Sequence, residues 1–486
     1  MSVSNKLTVM RTVIGFALSG LVSGLLLVGC GGGASSVAPG GTGVITGMTM
    51  EGSLQGYSGG FVPASIADTF DLMVGAPGAT NRKGALLIYK DGSGVPTVIE
   101  GMAAGDYFGS SFANLGNITG IAGKSYFAVG AIHATGSAPL SGAVYVYERT
   151  ATGGTLVATL KGGQALDRFG FAVTSGDLNA DGFNDIVVVA PYTFTSEPGD
   201  TTSGFQSGAT YIYFGSATLS ATPAPDVTIQ GAISSNPATG DVNGDGIADL
   251  LAPASGKVRV FFGGADFQAR VGVPDVVADA EFTAGGNAVA YLGDVNGDGI
   301  GDVAVSNSAA KNAANAITGA VYIYRGSATL SGTLAATAAA ATIWGAGGEF
   351  DKFGSSIALV GEATQDILVG APWGAGGTVA APLADGGNIY RFSLAPLANP
   401  LDIIGTPLAI GAILTTADAT QTYPIELMSG DYGRNLAIGG HMFFAGTPLL
   451  DRENGVAYLK DIDSGHGGGV GGGDGGGGGG DGGHVH

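Results

Sequence analysis

Hydrophobic residues recur along this chain in short runs with a two-residue alternation, and each run is bounded by glycine, proline, aspartate or asparagine. Gly142-Ala-Val-Tyr-Val-Tyr147 and Gly319-Ala-Val-Tyr-Ile-Tyr324 show the form. Such runs predict short β-strands joined by tight turns, because β-branched and aromatic side chains suit a pleated surface and the bounding residues supply the reversals. The runs also repeat. A glycine-led strand starts at Gly84, Gly142, Gly208, Gly256, Gly319, Gly387 and Gly455, and a strand ending in Ala-Pro or a close variant precedes each, as in Val74-Gly-Ala-Pro77 and Val369-Gly-Ala-Pro372. Phe-Gly opens a third kind of strand at Phe108, Phe169 and Phe353, with Tyr432-Gly433 as a variant. A fourth, short strand ends in glycine, as in Thr97-Val-Ile-Glu-Gly101, Val227-Thr-Ile-Gln-Gly231, Ala341-Thr-Ile-Trp-Gly345 and Leu401-Asp-Ile-Ile-Gly405.

Four strands per unit, in units of roughly 50 to 70 residues, predict propeller blades in preference to an open solenoid. The expected fold is all-β: a seven-bladed β-propeller of four-stranded antiparallel blades. The last unit stops after its third strand at Leu459, and Gly47-Met-Thr-Met-Glu-Gly52 reads as an orphan fourth strand that completes it. Closure of that kind leaves no free sheet edge.

Composition agrees with this reading. The chain has 486 residues, 91 of them glycine, and only 12% are charged, which suits a turn-dense β protein. The glycines lack the three-residue period of collagen. A formal net charge of -20 argues against nucleic acid as a partner, since phosphate neutralisation needs basic patches.

The N-terminal segment reads as an export signal. Lys6 and Arg11 precede an apolar run from Val13 to Val28, and Leu27-Val28-Gly29-Cys30 resembles the bacterial lipobox, in which the cysteine sulfur carries the lipid. Cys30 is the only cysteine in the chain, so it has no internal disulfide partner. The expected organisation is a signal peptide over 1–29, a flexible tether over 30–46, the propeller over 47–463, and a disordered glycine-rich tail over 464–486. Its expected place is the bacterial envelope, on the outer membrane or cell surface, held to the membrane by lipid on Cys30.

Three near-identical acidic nonapeptides carry the candidate chemistry. They are Asp177-Leu-Asn179-Ala-Asp181-Gly-Phe183-Asn-Asp185, Asp241-Val-Asn243-Gly-Asp245-Gly-Ile247-Ala-Asp249 and Asp294-Val-Asn296-Gly-Asp298-Gly-Ile300-Gly-Asp302. Side-chain oxygens at positions one, three, five and nine, with a carbonyl at seven and a glycine at six for the sharp turn, describe an all-oxygen calcium site. Position twelve is Val188, Ala252 or Val305, and strands leave each loop, so these are not EF-hands. About three calcium ions are expected.

In combination these motifs resemble the FG-GAP repeat, found in the seven-bladed propeller of integrin α subunits and in many bacterial surface proteins. The resemblance spans about Gly47 to Asp463 and implies calcium at the three loops. Asn117 stands in the corresponding stretch of the second unit without an aspartate series, and Val360-Gly-Glu-Ala-Thr-Gln-Asp366 is too short for a full site.

Strand order places the three loops on one face of the blades and any partner on the other. Tyr192, Phe194 and Trp373 are aromatics in the longer connections of that second face, and Asp106, Asp167, Asp351 and Asp431 recur there before Phe-Gly or Tyr-Gly. The aspartates either form a ring for a cation or basic partner, or cap their own turns. No sequence signature of a nucleophile-histidine pair occurs, so the expected function is a non-enzymatic, monomeric adhesion or interaction module with a protein or glycan ligand. A carbohydrate-binding surface protein and an envelope hydrolase are the alternatives.

Overall fold

The computed structural model describes residues 58–394 apart from the segments 64–69, 91–94, 194–205, 232–234, 255, 272–276, 346–351, 361–365, 373–375, 379–380 and 384–387; beyond that span it describes strands alone. Six antiparallel blades follow one another in sequence order. Blade 1 comprises Ser58–Pro63, Phe70–Ala76, Ala85–Tyr89 and Thr97–Glu100. Blade 2 comprises Phe108–Gly116, Tyr126–Ala131, Ala143–Thr150 and Gly153–Lys161. Blade 3 comprises Ala172–Gly176, Asp185–Thr193, Gln206–Tyr213 and Val227–Gln230. Blade 4 comprises Ala238–Gly240, Asp249–Ala254, Lys257–Phe261 and Ala280–Phe282; blade 5 comprises Val289–Gly293, Asp302–Asn307, Ala320–Tyr324 and Ala341–Trp344. Blade 6 comprises Ser356–Val360, Asp366–Ala371, Asn388–Ser393 and Gln421–Pro424. Parallel strands Gly332–Leu334 and Ala412–Thr415 cover the outer edges of blades 4 and 5, which removes two exposed ladders.

The described residues therefore form six four-stranded antiparallel blades, not the seven expected. The two ends of the chain meet in a further five-stranded sheet, in which Gly43–Thr46 pairs with Val456–Asp461 and Leu26–Leu27 lies parallel to Gly43–Thr46; its strand Asn435–Gly439 lies against the first strands of blades 1 and 6. Gly47–Gly52, expected as the closing strand, lies outside the described residues, as does Leu401–Gly405. The fourth strand of blade 6 is instead Gln421–Pro424. Apart from the nine-residue Gly153–Lys161 of blade 2, the fourth strands are three or four residues long, as in Thr97–Glu100, so their sequence signal is weak.

Second strands carry the opposite pattern. Tyr126–Ala131, Asp249–Ala254 and Asp366–Ala371 are buried at every position, because each is covered on both faces by neighbouring blades. The apolar clusters lie between successive blades. Val144, Val146 and Leu160 of blade 2 meet Val173, Ile186 and Val188 of blade 3, and Val187 and Ile212 of blade 3 meet Leu250 and Phe261 of blade 4.

The Phe-Gly motif locks one blade to the next. Phe169 is 1% exposed, its ring lies 5.3 Å from that of Tyr211, and its N–H donates to the Ser141 carbonyl of blade 2 at 2.9 Å. Gly142, which leads the third strand of blade 2, has φ +86°, and a Cβ there would lie 2.2 Å from the Phe169 carbonyl. Only glycine tolerates both the left-handed backbone and that approach. The Ser111 hydroxyl adds a bond to the Gly170 carbonyl at 2.7 Å, and Ser58 makes the same bond to Gly109 one blade earlier.

Candidate metal centres and the opposite loop face

The three nonapeptides connect first to second strands in blades 3, 4 and 5, on one face, and fold alike. Gly182, Gly246 and Gly299 at position six have φ of +84°, +83° and +87°, the reversal the spacing predicted. At position one, Asp177 accepts from the N–H of Gly182 at 2.9 Å, and Asp241 and Asp294 accept from Gly246 and Gly299, each at 2.7 Å. The Asn179, Asn243 and Asn296 carbonyls accept from Asp181, Asp245 and Asp298 at 3.1, 2.9 and 2.9 Å. Side chains at positions one, three and five are thereby gathered around one turn. The N–H groups of Phe183, Ile247 and Ile300 return to the carboxylates of Asp181, Asp245 and Asp298.

Position nine differs from the rest. Asp185, Asp249 and Asp302 are fully buried, and each opens the second strand of its blade. Asp185 accepts from the N–H of Leu178 and of Gly215, both at 2.9 Å. Asp249 is held the same way by Val242 and Gly263, and Asp302 by Val295 and Gly326. In blade 5 the Asn296 amide adds a third donor to Asp302 at 3.1 Å. Each carboxyl thus ties its loop to the end of the third strand. The loops are also tied to one another: Ala248 N–H donates to the Asp177 carbonyl and Gly301 N–H to that of Asp241.

Burial pushes these three carboxyls up to about 7; the backbone donors pull against it, and the carboxylates at positions five and one add to the rise. The folded chain without metal therefore holds these protons more tightly than the unfolded chain, where aspartate ionises near 3.8. The stabilisation is complete below that lower value and is lost as pH climbs through the higher one. In chelator, the urea midpoint is expected to be lower at pH 8 than at pH 5.5; an unchanged midpoint contradicts this.

The position in register with these aspartates, just before the apolar run of the second strand, holds an aspartate in blades 1 and 6 as well, Asp71 and Asp366, which sequence reasoning missed as members of the series. There a basic side chain supplies the counter-charge. Asp71, 1% exposed, pairs with Lys90 at 2.7 Å and with Arg149, and Asp366 pairs with Arg391 at 2.7 Å. Blade 2 has Tyr126 instead, bonded to Thr119 at 3.1 Å. In blades 3 and 4 the residue after the third strand is Phe214 or Phe262. Arg325 follows in blade 5, but it is exposed. Among the described residues no ion pair reaches Asp185, Asp249 or Asp302. Nor does any group of three histidine, cysteine, aspartate or glutamate side chains stand at metal-ligating distance among those residues; the loop oxygens are held by loop amides.

On the opposite face, Asp106 and Asp167 are 8% and 0% exposed. They accept from the N–H of Ala103 and of Gln164, both at 2.9 Å, and so cap their own turns. Tyr192 belongs to the second strand of blade 3, paired with Ser207, and not to a loop. Phe194, Asp351, Trp373 and Asp431 lie outside the described residues, as does Cys30. Among the described residues no helix is long and apolar enough to cross a membrane.

Residues 169–213, which contain the first aspartate loop, match the FG-GAP repeat. The chain is 33% identical to integrin alpha-V of Gallus gallus over 228 residues, 43% of this chain and 20% of that one. It is 33% identical to integrin alpha-3 of Mus musculus over 129 residues, 25% of this chain and 12% of that one. It is 34% identical to the phosphatidylinositol-glycan-specific phospholipase D of Bos taurus over 125 residues, 23% of this chain and 14% of that one. The chain spans a fifth or less of the length of these curated relatives. It carries an FG-GAP repeat within a six-bladed β-propeller similar to part of the integrin α chains.

Proposed function

We propose that the chain is a calcium-stabilised propeller that serves as an adhesion or protein-interaction module. The similarity to integrin α chains supports the module reading. The observation that carries the calcium reading is the contrast among aspartates at the start of second strands: basic side chains neutralise Asp71 and Asp366, and none among the described residues pairs with Asp185, Asp249 or Asp302. Buried carboxylates need a partner, and the donor set around these three is all oxygen, the chemistry of a hard cation. Asp177, Asn179, Asp181, the Phe183 carbonyl and Asp185 would hold one ion. Asp241, Asn243, Asp245, Ile247 and Asp249 would hold a second, and Asp294, Asn296, Asp298, Ile300 and Asp302 a third. Calcium's contribution is neutralisation and the fixing of blade hairpins, with no chemical step. Display on a bacterial envelope through lipid on Cys30, as a monomer, completes the proposal.

The test is retention of envelope and host surface proteins on immobilised full chain. At least one protein is expected to bind in calcium and to elute in chelator; retention indifferent to chelator contradicts the proposal. The similarity to a phospholipase D favours a second reading, a propeller accompanying hydrolytic chemistry. Turnover abolished by single substitutions in the loops opposite the aspartates would establish that reading instead.

A further inference from the structure

The outer edge of a blade is its fourth strand, and in blades 2 to 5 the chain itself covers that edge. Gly332–Leu334 runs parallel to Ala280–Phe282 in blade 4, and Ala412–Thr415 runs parallel to Ala341–Trp344 in blade 5. In blade 2 the Thr159 N–H donates to the Ala221 carbonyl at 2.8 Å. In blade 3 the short helix Phe267–Val271 lies beside Val227–Gln230, and the Gln268 amide donates to the Asp226 carbonyl at 3.1 Å. Blade 1 is the exception: among the described residues no strand or carbonyl reaches the outer side of Thr97–Glu100.

The phase of that open ladder follows from a bond the blades share. Gly101 N–H donates to the Gly84 carbonyl at 3.0 Å, as Gly162 does to Gly142, Gly231 to Gly208 and Gly345 to Gly319. Counted back from this bond through an antiparallel ladder, the amides of Ile99 and Thr97 point inward and those of Val98 and Glu100 point outward. Thr159 of blade 2 and Thr342 of blade 5 stand at the Val98 position. The first uses its outward amide on Ala221, and the second lies in register with Ile413 of the added strand. Val98 and Glu100 are exposed where Thr97 and Ile99 are half-buried. An open ladder beside a valine 39% exposed is a template for strand addition.

We propose that the outer edge of blade 1 receives an extended segment of a partner protein as a fifth, parallel strand, its backbone bonded to Val98 and Glu100 and an apolar side chain covering Val98. The assignment rests on the interaction-module reading above. The occupant's chemistry is read from the strands that the chain lays on blades 4 and 5. Gly-Thr-Leu and Ala-Ile-Leu-Thr are uncharged, and the residue in register with the Val98 position is Ile413. The Glu100 side chain, 49% exposed beside Lys83, and the net charge of -20 disfavour an acidic segment.

Fluorescence anisotropy of the full chain in calcium tests this with a labelled peptide of residues 408–418, which contains Ala412–Thr415, and a scrambled peptide of the same composition. The native peptide is expected to bind at least about tenfold tighter than the scrambled one, and hydrogen exchange over residues 97–101 should slow when it binds. Val98→Lys and Val98→Pro should each weaken binding at least about tenfold with melting curves unchanged, because an edge lysine blocks strand addition and proline removes one outward donor without touching the inward ladder. Ile121→Lys, at an exposed site on the aspartate-loop face, should leave it untouched. Binding indifferent to both Val98 variants, equal binding of the two peptides, or a chain that is dimeric until Val98→Lys makes it monomeric would overturn the assignment, the last by making a second copy the occupant. If the peptide does not bind, the edge assignment fails; the module reading then stands where calcium-dependent protein capture persists, and falls as well where capture is absent.

Discussion

Adding calcium to the chelated chain is expected to raise its unfolding free energy by about 8 kcal/mol once free calcium stands a hundredfold above the dissociation constant of each of three independent sites, since each then contributes about 2.7 kcal/mol. The reason to expect binding is what chelation leaves behind. In every loop a fully buried position-nine carboxyl faces carboxylates at positions one and five. The backbone amides around them satisfy hydrogen bonds but bring no positive charge. The three loops are linked through Ala248 to Asp177 and Gly301 to Asp241, so they are expected to unfold together. Magnesium is expected to do much less, because it demands near-ideal octahedral geometry and gives up its water reluctantly. Urea unfolding in calcium, in magnesium and in chelator reads all three; coincident curves contradict the calcium proposal.

Replacing Arg391 by methionine is expected to cost roughly 3 kcal/mol, and calcium should not recover it. Arg391 and Asp366 are 13% and 10% exposed and meet at 2.7 Å. Removing one member of such a pair strands the other in a poorly solvated place, and the small residual exposure trims the penalty. Here the chain solves with an arginine the problem that, under the calcium proposal, a metal solves in the aspartate loops. The pair of experiments separates the two solutions: calcium should move the wild-type unfolding curve and leave the difference between wild type and Arg391→Met unchanged. Recovery of Arg391→Met by calcium would mean that blade 6 also takes a metal.

Much of this molecule is legible in its sequence, for identifiable reasons. The second and third strands of the blades are strongly apolar, and their glycine and Ala-Pro boundaries fix them. The aspartate loops are legible because every donor comes from nine consecutive residues. The number of blades was not, because the strands of the last unit, Asn435–Gly439, Met442–Thr447 and Val456–Asp461, join Gly43–Thr46 and Leu26–Leu27 in a five-stranded sheet, a pairing between the two ends of the chain that local pattern does not encode; short fourth strands such as Gln421–Pro424 carry little pattern as well. Asp71 and Asp366 were not, because their partners lie far along the chain and only strand register brings them together. A signal existed nonetheless: Asp71 and Asp366 stand directly before the apolar run of the second strand, as Asp185 does. The open edge of blade 1 was hidden for a similar reason. Which fourth strands are covered depends on segments far along the chain, such as Ala412–Thr415 beside Ala341–Trp344.

The calcium claim is tested most directly by calorimetric titration of the purified, chelator-stripped full chain. Three bound ions are expected, falling to two when Asp249 is replaced by asparagine. Heats no larger than those of dilution, or a stoichiometry unaffected by Asp249→Asn, would contradict it.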